Sequence, residues 1–253
     1  MTFSSLTFTT LFFPAVLILY FICTDLRWRN GVLLVASLIF YSWGEPIWVL
    51  AMIGSTAINY VAAMLIDRAS SPGLRKTALV VGAAASLAVL FYFKYAAFLV
   101  NSVTSLFGVS FSIPVLELPI GISFYTFQAL SYLTEIYWKE EEPEENLADF
   151  MIYMLFFMKF LSGPIERARD MLPQLKSGKP VAYPSIVYGM KLIAVGLIKK
   201  LILADYISPY IDGIFNSIHT ASGIQLLMAC LLYPVELYGD FSGYTDIALG
   251  GAC

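Results

Sequence analysis

The sequence predicts an all-α fold, a polytopic membrane helical bundle with about seven or eight hydrophobic segments, some of them re-entrant. Hydrophobic residues make up 59% of the 253 positions and charged residues only 13%, too little polar surface to cover a soluble domain of this size. The mean hydropathy of +0.76 points the same way. The apolar residues gather in runs that approach or reach the length needed to cross about 30 Å of hydrocarbon. The chain, 1–253, reads as a single membrane domain.

In order, the apolar runs lie near 8–24, 31–43, 47–66, 77–100, 120–138, 148–163, 184–203 and 223–238. The first has no Lys or Arg before it and no small-residue cleavage pattern after it, so it is expected to stay as a membrane helix rather than leave as a signal peptide. Gly44, Glu45 and Pro46 separate 31–43 from 47–66 inside an aromatic belt of Tyr41, Trp43 and Trp48. Several runs fall short of the roughly 20 residues of a perpendicular span, so tilted, joined or re-entrant segments are expected.

Lys and Arg set the orientation, because short cytoplasmic loops are enriched in them. Arg27 and Arg29 follow the first run and Arg68, Arg75 and Lys76 follow the third, whereas the connection 101–119 has none. This alternation places the N-terminus and the connections 101–119 and 205–222 outside, and 67–76, 139–147 and 165–183 inside. Both ends of 148–163 then fall on one face, which makes that segment re-entrant, with Gly163-Pro164 as its break. The alternative is that the basic stretch Arg167, Arg169, Lys176 and Lys179 is an exception to the charge rule.

The net charge of -3 and the absence of a basic stripe interleaved with aromatics do not suggest a nucleic-acid partner, and none is expected. Cys23, Cys230 and Cys253 form no CxxC pair, and the single His219 has no ligand-spaced neighbours, so no metal site and no disulfide framework is expected. His219 falls in the 205–222 connection, a poor place for a catalytic base. Polar groups inside spans are costly and attract a functional hypothesis first. Tyr125, Gln128, Tyr132 and Glu135 follow spacings of three and four and share one helical face. They would line a site or form an interhelical hydrogen-bond seam. The run Tyr233 to Asp246 concentrates Glu236, Asp240 and Asp246 with Ser242 and Tyr244 beside an apolar span. It would bind a polar substrate or orient a base, or else cap a short helix through Ser242 or Thr245. Snorkelling at an interface accounts for Lys94, Lys159, Lys199 and Lys200 at least as well as any chemistry.

Six motifs together resemble the membrane-bound O-acyltransferase superfamily, in the bacterial branch of alginate O-acetylase and the teichoic-acid D-alanyl transfer protein. They are Phe40-Tyr41-Ser42-Trp43-Gly44, Phe91-Tyr92-Phe93-Lys94-Tyr95, the run from Leu118 to Gln128, Ser162-Gly163-Pro164-Ile165-Glu166-Arg167, Gly196-Leu197-Ile198-Lys199-Lys200, and Asp240 to Asp246. The resemblance covers almost the whole chain, in the family's order. It implies transfer of an acyl group, acetyl first among them, from a cytoplasmic thioester donor (acetyl-CoA or an acyl-carrier protein) toward a hydroxyl of an extracytoplasmic polysaccharide or cell-wall polymer. It also implies a multi-pass protein of the bacterial inner membrane, in contact with membrane lipid and served by an extracytoplasmic acyl-transfer partner protein. Tyr125, Gln128, Glu135, Arg167, Asp240, Ser242, Tyr244 and Asp246 become the candidate tunnel or substrate-binding residues.

In two respects the chain departs from the pattern. Family members carry a histidine, taken as the catalytic base, downstream of the Asp-Phe-Ser-Gly-Tyr run, so this chain is expected to be an N-terminal portion with no catalytic residue of its own and no activity alone. Glu236 and Gly239 stand where an amide or apolar residue and a bulkier one are expected, which bears on acceptor preference. The alternative from another class is a non-catalytic polytopic membrane protein, a transporter or an assembly scaffold; no internal repeat of the kind transporters carry is seen.

Overall fold

Side-chain periodicity and turn residues divide the described residues into ten α-helices. A computed structural model describes residues 3, 5–43, 46–107, 119, 121–159, 163, 166–178 and 182–252. The helices are α1 (Phe13–Ile22), α2 (Leu26–Ser42), α3 (Trp48–Arg68), α4 (Pro72–Leu106), α5 (Ile122–Trp138), α6 (Leu147–Leu155), α7 (Ala168–Ser177), α8 (Tyr183–Leu197), α9 (Asp205–Asn216) and α10 (Gly223–Ala252). No strand occurs among the described residues. The expected all-α membrane bundle is thus what the chain forms.

Among the described residues three helices, α3, α4 and α10, are long and apolar enough to cross a membrane. At 1.5 Å per residue α4 reaches about 50 Å, longer than the hydrocarbon layer. Ser71 caps it by accepting a hydrogen bond from the Leu74 N–H, with Pro72 in the first turn. The remaining expected segments are shorter or interrupted. The run 8–24 divides into a π-helical turn, Phe8–Phe12, and α1. The run 184–203 becomes α8 followed by a π-helical stretch, Ile198–Ala204, that passes directly into α9. Most of 205–222 is therefore helix rather than connection, because Ile211 and Ile214 supply an apolar face that is buried. Residues 108–118, most of the connection 101–119, lie outside the described residues, as do Gly44, Glu45, Pro164 and Lys179.

The chain forms two compact units. One comprises Ile18–Phe160 and Ile165–Gly178, the other Met1–Leu17, Leu161–Pro164 and Lys179–Cys253. In the first unit α5 is enclosed by α3, α4 and α6, and Leu133, Ile136, Phe150 and Ile152 are fully buried. The nine residues of α6 would extend only about 14 Å, too short to span, and its middle and end are almost wholly buried. A short helix can lie at membrane depth without spanning where protein encloses it.

Both ends of α6 are held by side chains. At its start, Asn146 caps the helix by accepting from the Ala148 N–H (2.9 Å), and its own amide donates to Asp149 Oδ2 (3.0 Å). Asn30 of α2 donates to Asp149 Oδ1 (3.0 Å) and to the Leu175 carbonyl (3.1 Å). The buried Glu144 pairs with Lys176 of α7 at 2.8 Å, and its N–H donates to the Tyr132 hydroxyl (2.8 Å). That carboxylate hydrogen bond holds the Lys176 ammonium above its ordinary pKa. The acidic connection 139–147 is thus partly a structural strap rather than a solvated loop.

In the second unit α8 packs on α10 through glycine. A Cβ added at Gly196 would lie 2.6 Å from the Gly243 carbonyl oxygen, one at Gly243 would lie 2.8 Å from the Gly196 oxygen, and one at Gly250 would lie 2.5 Å from the Gly189 oxygen. Two backbone-to-backbone contacts therefore stand two turns apart along both helices, the small-residue packing by which membrane helices approach closely. Gly243→Ala is expected to lower thermal stability in detergent by about 1–3 kcal/mol, because the obstructing atoms are backbone and cannot rotate away. Gly213→Ala in α9, where a Cβ meets nothing within 4 Å, should be neutral or stabilising by up to about 1 kcal/mol. Equal melting shifts for the two variants would contradict this packing.

Candidate functional site

Two polar clusters hold the residues singled out from the sequence, one in each compact unit. In the second unit, Asp240 to Asp246 lies well inside α10, not at its start. Helix capping by Ser242 or Thr245 is thereby overturned, since the apolar run continues on both sides and Gly239 and Gly243 face the neighbouring helix instead. Asp240 and Asp246 each lie three residues from Gly243, so at 100° per residue they flank it by about 60° on either side. They straddle the helix contact, and each meets a lysine. Lys199 donates to Asp246 Oδ2 (2.6 Å) and Ser242 Oγ (2.9 Å). Lys200 bonds Asp240 and pairs with Asp205 at 2.7 Å.

The aromatic residues complete the network. The Lys200 ammonium lies 5.1 Å from the Tyr244 ring centre and that of Lys199 lies 5.8 Å from the Tyr238 ring. Tyr244 also meets the ring of Phe3 edge-on. Snorkelling is therefore not what Lys199 and Lys200 do; they are the cations of a partly buried cluster of two lysines and three aspartates. The π-helical stretch that begins at Ile198 makes this possible, because its wider turns bring the consecutive lysines closer to a common face.

In the first unit the predicted polar face of α5 is real. Tyr125, Gln128, Tyr132 and Glu135 are 3%, 5%, 1% and 6% exposed. Gln128 donates through Nε2 to the Tyr153 carbonyl (2.8 Å), an oxygen at the end of α6 that lacks a helical partner. Lys159 donates to the same carbonyl (2.9 Å), and its ammonium lies 3.0 Å from Met171 Sδ and 4.5 Å from the Tyr153 ring centre. Lys159 does not snorkel either: it is 8% exposed. An amide and an ammonium thus terminate the short helix where a cation favours the helix dipole. Glu135 Oε1 accepts from Ser131 Oγ (3.2 Å) and lies 3.7 Å from Arg167 Nε. Burial, and after it the Glu135 carboxylate, push up the pKa of the Glu141 carboxyl in the adjoining loop, while Arg169 opposes them.

The sequence contains only fragments of this arrangement. Tyr153, Asp205 and the helix-terminating role of Lys159 were not foreseen; a lone charge inside an apolar run next to Gly163-Pro164 was the available signal for Lys159. Among the described residues no group of three or more His, Cys, Asp or Glu side chains is placed to hold a metal. His219 is exposed, in the turn between α9 and α10.

Comparison with known proteins bears on the chain as a whole. No family model matches the chain. The chain is 36% identical to the probable alginate O-acetylase AlgI of Pseudomonas aeruginosa over 99% of its own length and 48% of that protein. It is similar to the membrane-bound O-acyltransferase superfamily along nearly its whole length. The peptidoglycan O-acetyltransferase of Helicobacter pylori is 30% identical over 86% of this chain and 46% of that protein, and the teichoic acid D-alanyltransferase of Bacillus subtilis 29% identical over 52% of this chain and 34% of that protein. The chain spans about half the length of the first two relatives and a third of the last. The superfamily motifs occupy defined places in the fold: Phe40 to Trp43 close α2, Phe91 to Tyr95 lie within α4, Gly121 to Gln128 open α5, and the last two motifs form the lysine–aspartate network.

A double-mutant cycle tests whether that network is energetically joined. Lys199→Met and Asp246→Leu should show a coupling of about 1–3 kcal/mol in detergent melts, the range for contacting groups in one network. The half-exposed Arg169–Asp170 pair should couple by less than about 1 kcal/mol.

Proposed function

We propose that this chain is part of a membrane O-acyltransferase that moves an acyl group, acetyl first among the candidates, from a cytoplasmic thioester toward a hydroxyl of an extracytoplasmic polysaccharide or cell-wall polymer. The observation that carries the proposal is the 36% identity to a probable alginate O-acetylase along 99% of the chain. The polar clusters support it chemically. Transfer breaks a carbon–sulfur bond, forms a carbon–oxygen bond to the acceptor and sends the hydroxyl proton to a base, and it needs a protein-lined polar route between the two faces of a membrane. Short protein-enclosed helices and intramembrane polar faces are how such routes are built. The donor is proposed to be acetyl-CoA or an acyl-carrier protein, and an extracytoplasmic partner protein is proposed to complete delivery to the polymer.

Among the 253 residues the only histidine is exposed in a turn, so we take these residues to be inactive by themselves and to depend on further sequence that the relatives possess. The proposed orientation, N-terminus outside, is supported by the Lys and Arg asymmetry, and the proposed location in the bacterial inner membrane by the similarity to the bacterial relatives.

The direct test reconstitutes the chain in liposomes with radiolabelled acetyl thioester and a hydroxylated polymer, with and without the remaining half of a relative. Label is expected in the polymer only when both halves are present; loss of a general base alone removes about 100- to 10,000-fold. In the complemented system, Asp240→Asn or Asp246→Asn should reduce transfer per folded molecule beyond the melting loss that an unpaired lysine brings, if the network serves the transfer site rather than only the fold. Wild-type transfer by both variants would remove the network from the reaction. For orientation, cysteines introduced at Ser177 and Thr220, both exposed, should react with an impermeant thiol reagent from opposite sides; labelling from one side would overturn the assignment.

A further inference from the structure

The helices α3 and α4 form an antiparallel pair whose depth in a membrane is marked at both ends. Trp48, at the start of α3, meets the Phe93 ring edge-on at 4.9 Å, and exposed Lys94 is the next residue of α4. At the other end the short turn 69–71 joins Arg68 to α4, whose first turns carry Arg75 and Lys76. Trp48 to Arg68 is about 30 Å at 1.5 Å per residue and Lys76 to Lys94 about 27 Å, so aromatic and basic residues bracket both helices at the thickness of the hydrocarbon layer.

A groove of about 420 Å³ runs between the two helices in the half of that span next to the turn. Ala57, Val61 and Leu65 of α3 form one wall, Ala78, Val81 and Ala85 of α4 form the other, and every residue lining it is apolar. Its floor is close-packed: a Cβ added at Gly82 would lie 2.7 Å from Ala62 Cβ and 3.2 Å from Leu133 Cδ1 of α5. On the protein side of the floor the buried Ser86 Oγ donates to Asn59 Oδ1 across the pair (2.8 Å), which fixes the spacing of the walls. From Arg68 down to Ala57 the groove is about 16 Å deep, the hydrocarbon half of one leaflet. Arg68 is exposed and lies within about 50° of the groove's direction on α3, whereas Asp67 points about 150° away from it. Among the described residues Arg68 has no ion pair, while Arg75 turns inward and donates to the Ile136 carbonyl.

A narrow apolar slot one leaflet deep, with a free cation at its mouth, fits a hydrocarbon chain that ends in an anion. A transmembrane helix 10 Å across and 16 Å long would need on the order of 1,300 Å³, about three times the space. We propose that the groove binds one anionic glycerophospholipid from the leaflet on the side of the 67–76 connection, with an acyl chain laid between α3 and α4 and the phosphate on Arg68. The fixed walls and the cation distinguish this site from the rest of the lipid-facing surface, and the proposal does not depend on the acyl-transfer reading.

Native mass spectrometry of the purified full chain in detergent tests it with two probes, dipalmitoyl phosphatidylglycerol and dipalmitoylglycerol, which lacks the phosphate. The wild type is expected to retain one phosphatidylglycerol per chain. Ala85→Phe, which fills the slot, should weaken retention by about tenfold or more, because the displaced methylenes each lose their burial; Ala57→Phe fills it from the opposite wall and serves as the second variant, with melting in detergent confirming that each is folded. Val80→Phe, on the other face of α4 at a position 56% exposed, should stay within about twofold of wild type. Arg68→Gln should weaken phosphatidylglycerol about fivefold, the worth of one cation at the membrane surface, and leave dipalmitoylglycerol within about twofold. Equal retention by the wild type and both phenylalanine variants would overturn the site, as would a wild type that retains no lipid. A dimer that Ala57→Phe dissociates, or loss of the lipid when the remaining half of a relative is co-expressed, would assign the groove to protein and overturn the proposal equally.

Discussion

In hydrocarbon a backbone carbonyl or a charge without a partner costs several kcal/mol, and the placement of nearly every polar residue in this chain follows from that constraint. The end of α6 shows it most clearly. A nine-residue helix that stops inside the protein leaves carbonyls without N–H partners, and Gln128 and Lys159 both donate to the Tyr153 oxygen. At the other end Asn146, Asp149 and Asn30 close the N-terminal turn, and Glu144 ties it to α7 through Lys176. Polar side chains thus take at both ends of α6 the place that water takes at a soluble helix end.

The same constraint organises the second unit by a different means. Glycines bring α8 and α10 into backbone contact, and the charged residues are displaced to the flanks of that contact, where each aspartate of α10 finds a lysine. Close approach and charge pairing therefore depend on each other: with a bulkier residue at Gly243 the helices would separate, and the lysine and aspartate side chains would need a new geometry to meet. A network of this kind stabilises only while it is complete, because removal of one partner leaves the other charged in a poor environment.

Much of this was legible in the sequence. The spacing of Tyr125, Gln128, Tyr132 and Glu135 gave one buried face correctly, because a 3.6-residue period does not depend on what the face packs against. Charge parity on either side of 148–163 gave the re-entrant reading, whereas the shortness and burial of α6 are what the described residues show. The Asp240 to Asp246 run was harder: its polar density resembled a helix boundary, whereas the carboxylates are accommodated mid-helix by lysines some 40 residues earlier in the chain, and single-sequence periodicity carries no information about such pairings. Lys159 was misjudged for a related reason. A lysine near the end of an apolar run usually reaches an interface, but here the chain turns at Leu155 and keeps its ammonium inside.

The π-helical stretch Ile198–Ala204 has a consequence for how this region can change over generations. A π-helical turn holds one residue more than the α-helical turn it replaces, so it behaves as an insertion stored within an otherwise regular helix. Deleting a single residue between 198 and 204 would let the chain relax to ordinary α-helix with the residues on either side still in phase, because the surplus residue is what the wider turn absorbs. Gly189, Gly196 and the apolar face of α9 would keep their directions, while the lysines inside the stretch would shift on the helix surface. The stretch thus carries one surplus residue without changing the phase between α8 and α9.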